Sequence, residues 1–399
     1  MNNFLKTQKT NILNADGKAL NLAGVNLGGW LLMEGYILHS LNHPEQKFKR
    51  EFVKMLGPAA LKDFEKTFRD NFIGEEDIKT IAGIGFNCLR VPFNHRLVEI
   101  KPFQYSLEGV AYLDRVIEWA KKYKLLVILD LHAAAGAQNH DWHSDSLGKA
   151  QLWTKEIYRR RTYALWEFLA DRYQDEPTVA GYDLLNEAVL ENTALLNRFY
   201  KELIRVIRKV DRRHILFVEG NRWAQDLDCL ECFKDDNIAL SIHCYAPLEF
   251  THNFIPQLRY PLKNGKSIFN KTNLRDLMGR YAKIAQRRSC PVFAGEFGVN
   301  ARGGLYGEDL WLRDILACFK EFNFHWAYWT YKAVKNAVCP DGIFSYFPNE
   351  PWISRHGPVL GWDTYKVHWP SQKKEMTKSW RTENFLANKE ILQTLRHAL

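Results

Sequence analysis

VAGYDLLNE, residues 179–187, is an apolar run of strand length that ends abruptly in an amide and a carboxylate. A continuous apolar run is what a parallel strand covered on both faces requires. The pattern recurs seven times. Before it come LNLAGVNL (20–27), FNCLRVPF (86–93) and LLVILDLH (125–132). After it come HILFVEGN (214–221), IALSIHCY (238–245), PVFAGEFG (291–298) and FHWAYWTY (324–331). Helical periodicity fills most of the intervals. Leu195, Phe199, Leu203, Ile207 and Val210 make one apolar stripe, and Leu113, Ile117 and Ala120 make another. Eight alternations of this kind predict a (β/α)8 TIM barrel.

The DGKA turn at 16–19 predicts a small hairpin at the barrel's N-terminal entrance. No Gly/Ser linker interrupts the chain, so residues 1–399 read as a single domain. Within it, 332–370 reads as a long aromatic loop after the eighth strand, followed by a C-terminal helix.

Composition narrows the function. With 46% hydrophobic and 25% charged residues the chain is globular, and disordered, collagen-like and disulfide-knot classes are excluded. The net charge of +9 is dispersed in short clusters such as Arg159-Arg160-Arg161, with no nucleic-acid-binding signature beside them, so no nucleic-acid partner is expected. Seven scattered cysteines fit a reducing compartment, and Cys229 and Cys232 lack the second pair a zinc site needs. No apolar stretch approaches the roughly 18 residues of a membrane span, and the N-terminus lacks the apolar core of a signal peptide. A cytoplasmic protein is expected, or a secreted one if the N-terminus has been trimmed.

Reactive groups in such a barrel gather at the C-terminal ends of the strands. Those ends offer Asn26 and Glu34, then Arg90, His132, Asn186-Glu187, His243 with Tyr245, Glu296, and Trp329. Two carboxylates, polar hydrogen-bonding groups, one arginine and an aromatic plate are what cleavage of a glycosidic bond needs. One carboxylic acid protonates the leaving oxygen while the other attacks or stabilises the oxocarbenium-like carbon. Any one of these residues has a plain structural explanation; the ordered set does not. Sugar hydrolysis of this kind needs neither metal nor cofactor, and none is assigned, the neighbouring His140 and His143 included.

The set, in this order, resembles glycoside hydrolase family 5 across about residues 10–335. The resemblance implies Glu187 as acid/base and Glu296 as nucleophile, with retention of configuration. Arg90 and His132 would orient the carboxylates, Asn186 would bind the sugar 2-hydroxyl, and His243 would assist the acid/base. Trp329 would stack beneath the sugar. A Glu296 carboxylate beside Arg90 and Tyr245 would be held ionised, and its charge would raise the pKa of Glu187 so that the acid stays protonated. The carboxyl groups should stand about 5–5.5 Å apart, the retaining spacing.

GVNLGGWLLMEGY (24–36) and DLHAAAGAQNHDWH (130–143) are similar to the exo-β-1,3-glucanase branch of that family. The similarity implies that Glu34 binds hydroxyls of a terminal glucose as a charged acceptor, with Asn139 and Asp141 as supporting contacts. Ala135, Phe297 and Tyr331 depart from the branch and bear on the aglycone preference. Trp142 and Trp223 are candidate stacking plates, and Phe344, Tyr346, Phe347, Trp352 and Trp362 candidate walls of an aglycone site. The expected substrate is a β-glucan oligosaccharide or β-glucoside, cleaved at its terminal β-linked glucose. The alternatives are an endo-acting β-glucanase, a glycolipid β-glycosidase and a non-catalytic carbohydrate-binding barrel.

Overall fold

The computed structural model describes residues 4–38, 42–265, 267–334, 338–346 and 361–399. Eight parallel strands close into a barrel: β1 (Ala23–Asn26), β2 (Cys88–Asn94), β3 (Leu126–Ala133) and β4 (Val179–Asp183), then β5 (Ile215–Glu219), β6 (Ile238–His243), β7 (Val292–Phe297) and β8 (His325–Tyr328). β8 pairs with β1 through Trp326↔Ala23, which closes the ring. Each strand coincides with the apolar run that predicted it, β2 and β3 running one residue past theirs, and the (β/α)8 architecture is as the sequence implied.

The strands alternate with period two between two cores. Side chains of one parity, among them Cys88, Ile128, Ile215, Phe217, Ala239, Phe293 and Ala327, fill the barrel interior. Those of the other parity, such as Leu89, Val91, Val127, Leu129 and Leu240, pack outward against the helices. The helical stripes do what their spacing demands: Leu113, Ile117 and Ala120 of helix Leu107–Lys122 are buried, as are Phe199, Leu203 and Ile207 of helix Thr193–Val210.

The barrel floor is plugged from the N-terminus. Leu5 and Ile12, in and beside an antiparallel hairpin of Lys6–Gln8 with Asn11–Leu13, join the interior cluster with Leu22, which precedes β1. The DGKA turn also folds back, with an antiparallel bridge from Leu13 to Ala19. Toward the other end, the inward parity changes character: Cys88 is followed by Arg90, Ile128 by Asp130 and His132, Phe217 by Glu219, Ala239 by Ser241 and His243. The apolar plug gives way to a polar floor.

The segment 332–370 is not one loop. Lys332–Val334 and Phe344–Tyr346 pair as short strands, and Leu386–Ala387 joins them. Helix Gly361–Ser379 begins inside the predicted loop. Its buried Tyr365, Trp369 and Met376 have helical spacing, but Pro370 in the middle disguises it, and the helix deviates locally at Gln372. These rings cover Phe64 of the preceding helices. Phe347 and Trp352 lie outside the described residues, as do the side chains of Tyr346 and Trp362.

Candidate active site

Arg90, wholly buried on β2, organises the floor. Its Nε donates to Asp183 at 2.9 Å, Nη1 to Glu296 Oε1 at 2.8 Å and to Asn26 at 3.1 Å, and Nη2 to Asn186 Oδ1 at 2.8 Å and Glu219 at 3.1 Å. Asp130 adds an ion pair at 3.1 Å. Four carboxylates around one guanidinium cannot all keep their charge cheaply in a low-dielectric site. Burial pushes the Asp130 carboxyl up to about 8, and burial with the Glu219 charge drives Asp183 well above its usual range. Glu219 goes the other way: burial opposes its charge, but His243 and Arg90 outweigh it. Asp130, Asp183 and Glu219 escaped sequence analysis, although each is an acid inside an apolar strand and must be paired when buried there.

Glu296 reaches the cavity through a break in the β7 register. Pairing with β6 shifts between Ile242 and His243, so that Glu296 stands beside His243. A bulge re-aims side chains in this way. Gly295 makes it sterically possible, because a Cβ there would lie 3.0 Å from Ser241 Oγ and 3.2 Å from His243 Nε2. Glu296 Oε2 accepts from the Tyr245 hydroxyl at 2.9 Å. Burial and the adjacent carboxylate keep that phenol protonated well beyond its ordinary range.

Glu187 follows β4 in a left-handed backbone conformation, φ 49°. Its N–H donates to Glu219 Oε2 at 2.6 Å and its carbonyl accepts from Asn139 Nδ2 at 2.9 Å, two bonds that fix the turn. Each carboxyl oxygen meets an imidazole: His243 Nδ1 at 2.8 Å from Oε1 and His143 Nε2 at 3.0 Å from Oε2. One oxygen of Glu187 and one of Glu296 lie within 4.8 Å of each other. That is far inside the roughly 6.5–9.5 Å separation of an inverting pair.

Burial favours a neutral Glu187, but hydrogen bonds and charge from His143 and His243 outweigh it and hold the carboxyl well below its usual range. The expectation that the Glu296 charge would leave it raised is therefore corrected: the two imidazoles prevail. The imidazoles go the other way: both rings are shifted up against the cost of burial, His243 strongly.

A cavity of about 430 Å³ contains Glu187, Glu296, Tyr245, Trp329 and Glu34 in its walls. Trp142 and Trp223 line it, as their sequence context allowed, together with His143, Tyr36 and His252. Gly28 in GVNLGGW lets the chain pass Trp329, since a Cβ there would lie 3.0 Å from the indole.

Glu34 is buried, and its Oε1 has no hydrogen-bond partner. Burial, with the charges of Glu296 and Glu187, raises its carboxyl well above the usual range. That direction works against the charged acceptor expected of it.

Other assignments also change. The hydrogen bonds of His132 go to neither Glu187 nor Glu296. Its Nδ1 bonds Asp130 at 2.7 Å, its Nε2 stands 4.0 Å from Glu34, and its ring stacks on Trp329 at 5.4 Å. Burial takes its pKa down to about 3, so it is a neutral backing for the indole. Asn139 is buried with its bonds directed at Glu187, His143 and the Asp141 N–H, and Asp141 accepts from the Trp223 indole at 2.8 Å. Neither lines the cavity; both position residues that do. Asn186 spends Oδ1 on Arg90, while its Nδ2 has no protein partner.

Phe297 and Tyr331 are not among the residues that wall the cavity. Phe297 is packed among Phe319, Trp326 and Tyr328, and the Tyr331 hydroxyl bonds Asp77. Phe344 packs on Tyr331, outside the cavity, and the 332–370 segment instead contributes Val338, Cys339 and Pro340.

The cellulase family, glycosyl hydrolase family 5, matches residues 52–335. A β-xylosidase of Phanerodontia chrysosporium is 31% identical, over 83% of this chain and 71% of its own length. Endoglucanase C of Acetivibrio thermocellus (strain ATCC 27405) is 28% identical, over 78% and 91%. A sporulation-specific glucan 1,3-β-glucosidase of Saccharomyces cerevisiae is 32% identical over about half of each chain, 54% and 53%. In fold, the crystal structure of endoglucanase Cel5A from Thermotoga maritima superposes with a TM-score of 0.63 at 20% identity, covering 93% of this chain and 96% of that one.

Proposed function

The chain belongs to the cellulase family, glycosyl hydrolase family 5, and is a retaining glycoside hydrolase, and on that premise we propose that it removes single glucose units from the ends of β-glucan oligosaccharides or β-glucosides. One observation carries the exo reading. Glu34, a buried acid whose Oε1 accepts no hydrogen bond, lines the cavity with Trp329, and Tyr36, in the same wall, meets Trp142 edge-on at 5.7 Å. The Trp329 indole N–H donates to the Tyr36 hydroxyl, tying plate to wall. A free acceptor beside an aromatic wall suits the hydroxyls of a terminal sugar, and in this reading that end of the cavity takes the terminal unit.

In this reading Glu296 attacks the anomeric carbon while Arg90 and Tyr245 fix its two oxygens. As Glu296 attacks, Glu187 passes to the departing glycosidic oxygen a proton shared with the imidazoles bonded to it, and the loss of the Glu296 charge then leaves Glu187 the more acidic. The same carboxylate then takes a proton from water, which attacks the glycosyl-enzyme ester and frees Glu296. Asn186 Nδ2 serves the 2-hydroxyl, a contact that gains strength in the transition state. Among the described residues no helix is long and apolar enough to cross a membrane, and a dissolved saccharide or small glucoside is the expected partner.

Digestion of a long β-1,3-glucan, in parallel with β-1,4 and β-1,6 polymers, tests the proposal by product identification. Glucose as the sole early product supports it. A ladder of mixed oligomers assigns endo action and removes the terminal-unit argument.

A further inference from the structure

If the terminal sugar takes the end of the cavity walled by Glu34, Tyr36 and Trp142, the departing group must lie toward the open mouth. That mouth is unusually apolar. Trp223, Leu248 and Phe254 line the same cavity as the two glutamates and are 41%, 47% and 52% exposed. Large apolar side chains gathered at a cavity's entrance, not scattered singly, mark a surface meant to be covered.

The two sides of the mouth are built differently and converge on the same property. On the Glu296 side, rings step outward from the catalytic centre: Tyr245 bonds Glu296, His252 packs edge-on to Tyr245 at 5.0 Å, and Phe254 lies 5.3 Å from His252. Burial lowers the His252 pKa to about 4, so that ring is an uncharged plate at neutrality. On the Glu187 side, Trp223 is held out over the cavity. Arg222, Trp223 and Ala224 are three successive left-handed residues with φ of 53°, 56° and 58°, a conformation that side-chain-bearing residues avoid. The indole N–H is tied to Asp141. Strain of this kind persists where the surroundings over-determine it, and it clusters at ligand clamps. Here it keeps a large apolar ring in water.

We propose that this rim is the binding site for an apolar leaving group, so that the preferred substrates are β-glucosides of apolar alcohols of six or more carbons and not glucosides of a second sugar. The inference rests on the terminal-glucose reading above and names its aglycone.

Ethyl, hexyl and octyl β-glucosides below their micellar concentrations test it, because the alcohols have nearly the same basicity and differ in apolar length. The expected result is a kcat/KM that rises with chain length, at least about tenfold from ethyl to octyl, with octyl glucoside outrunning laminaribiose. In Phe254→Ser and Trp223→Ser the octyl-to-ethyl ratio falls toward one. A flat series, or laminaribiose preferred over octyl glucoside, overturns the inference while leaving the terminal-glucose reading intact. Failure to cleave any β-glucoside, with oligomers released from glucan, overturns that reading instead.

Discussion

Glu296 is hydrogen-bonded on one oxygen by a guanidinium and on the other by a tyrosine hydroxyl, neither of which changes charge near neutrality, with the His243 ring farther off at 3.6 Å. Glu187, within 4.8 Å, is held on both oxygens by imidazoles, which do. The contrast fits the demands of double displacement. A nucleophile must present the same anion at every turnover. An acid/base must give up a proton and take one back, so its supports must be able to move with it. The backbone follows the same division: Glu296 sits on a strand, fixed by a bulge, whereas Glu187 lies just past one, in a left-handed turn held by Asn139 and Glu219.

Three substitutions would break or sharpen this division. Glu296→Gly has the largest expected effect. Hydrolysis of an activated aryl β-glucoside should fall by roughly 10⁴-fold or more. Added azide should restore turnover by occupying the vacated position and leaving as a glucosyl azide, detectable by mass spectrometry. Residual activity near wild type, or no rescue, would place the nucleophile elsewhere.

Glu187→Gln should separate substrates by leaving group. General acid assistance is worth about 10²–10⁴-fold, so phenyl β-glucoside should lose that much in kcat/KM. The 2,4-dinitrophenyl glucoside, whose departure needs no proton, should lose far less in the glycosylation step. Equal losses for both would argue against Glu187 as the acid.

His143→Gln is the subtlest. The ring's pKa is raised, because the bond and charge of Glu187 outweigh burial. The protonated form therefore persists as pH rises past the ordinary imidazole value, and the Glu187–His143 pair keeps its proton into that range. Removing the ring leaves the proton to Glu187 and His243. The basic limb of kcat/KM for phenyl glucoside should then move to lower pH. A uniform loss at every pH would mean that His143 merely packs.

The barrel was legible in the sequence because each strand announces itself as an apolar run ended by a polar group, and parallel strands buried on both faces leave no other pattern. Glu187, Glu296, Arg90, His243 and Tyr245 were legible for the same reason, since strand ends are where this architecture puts its chemistry. What escaped is what depends on contact across distant segments. His143 lies in a loop where the likeness to the exo-glucanase branch loses register, and only the folded chain brings it against Glu187. Asp130, Asp183 and Glu219 were in view inside their strands, yet their role appears only when Arg90 is seen to serve all three. His132 and Asn139 were assigned to the carboxylates and the sugar, whereas the fold uses them one step back, behind Trp329 and beneath Glu187. Helix Gly361–Ser379 was hidden by Pro370, which breaks the periodicity that would have revealed it.

The central claim, that Glu296 forms the covalent bond while Glu187 handles the proton, is met most directly by trapping. Incubation with 2-deoxy-2-fluoro-β-glucosyl fluoride should slow deglycosylation enough to accumulate one adduct per chain, and peptide mapping should find it on Glu296. An adduct on Glu187 or any other residue, or complete turnover of the fluoride with α-configured product, would contradict the account.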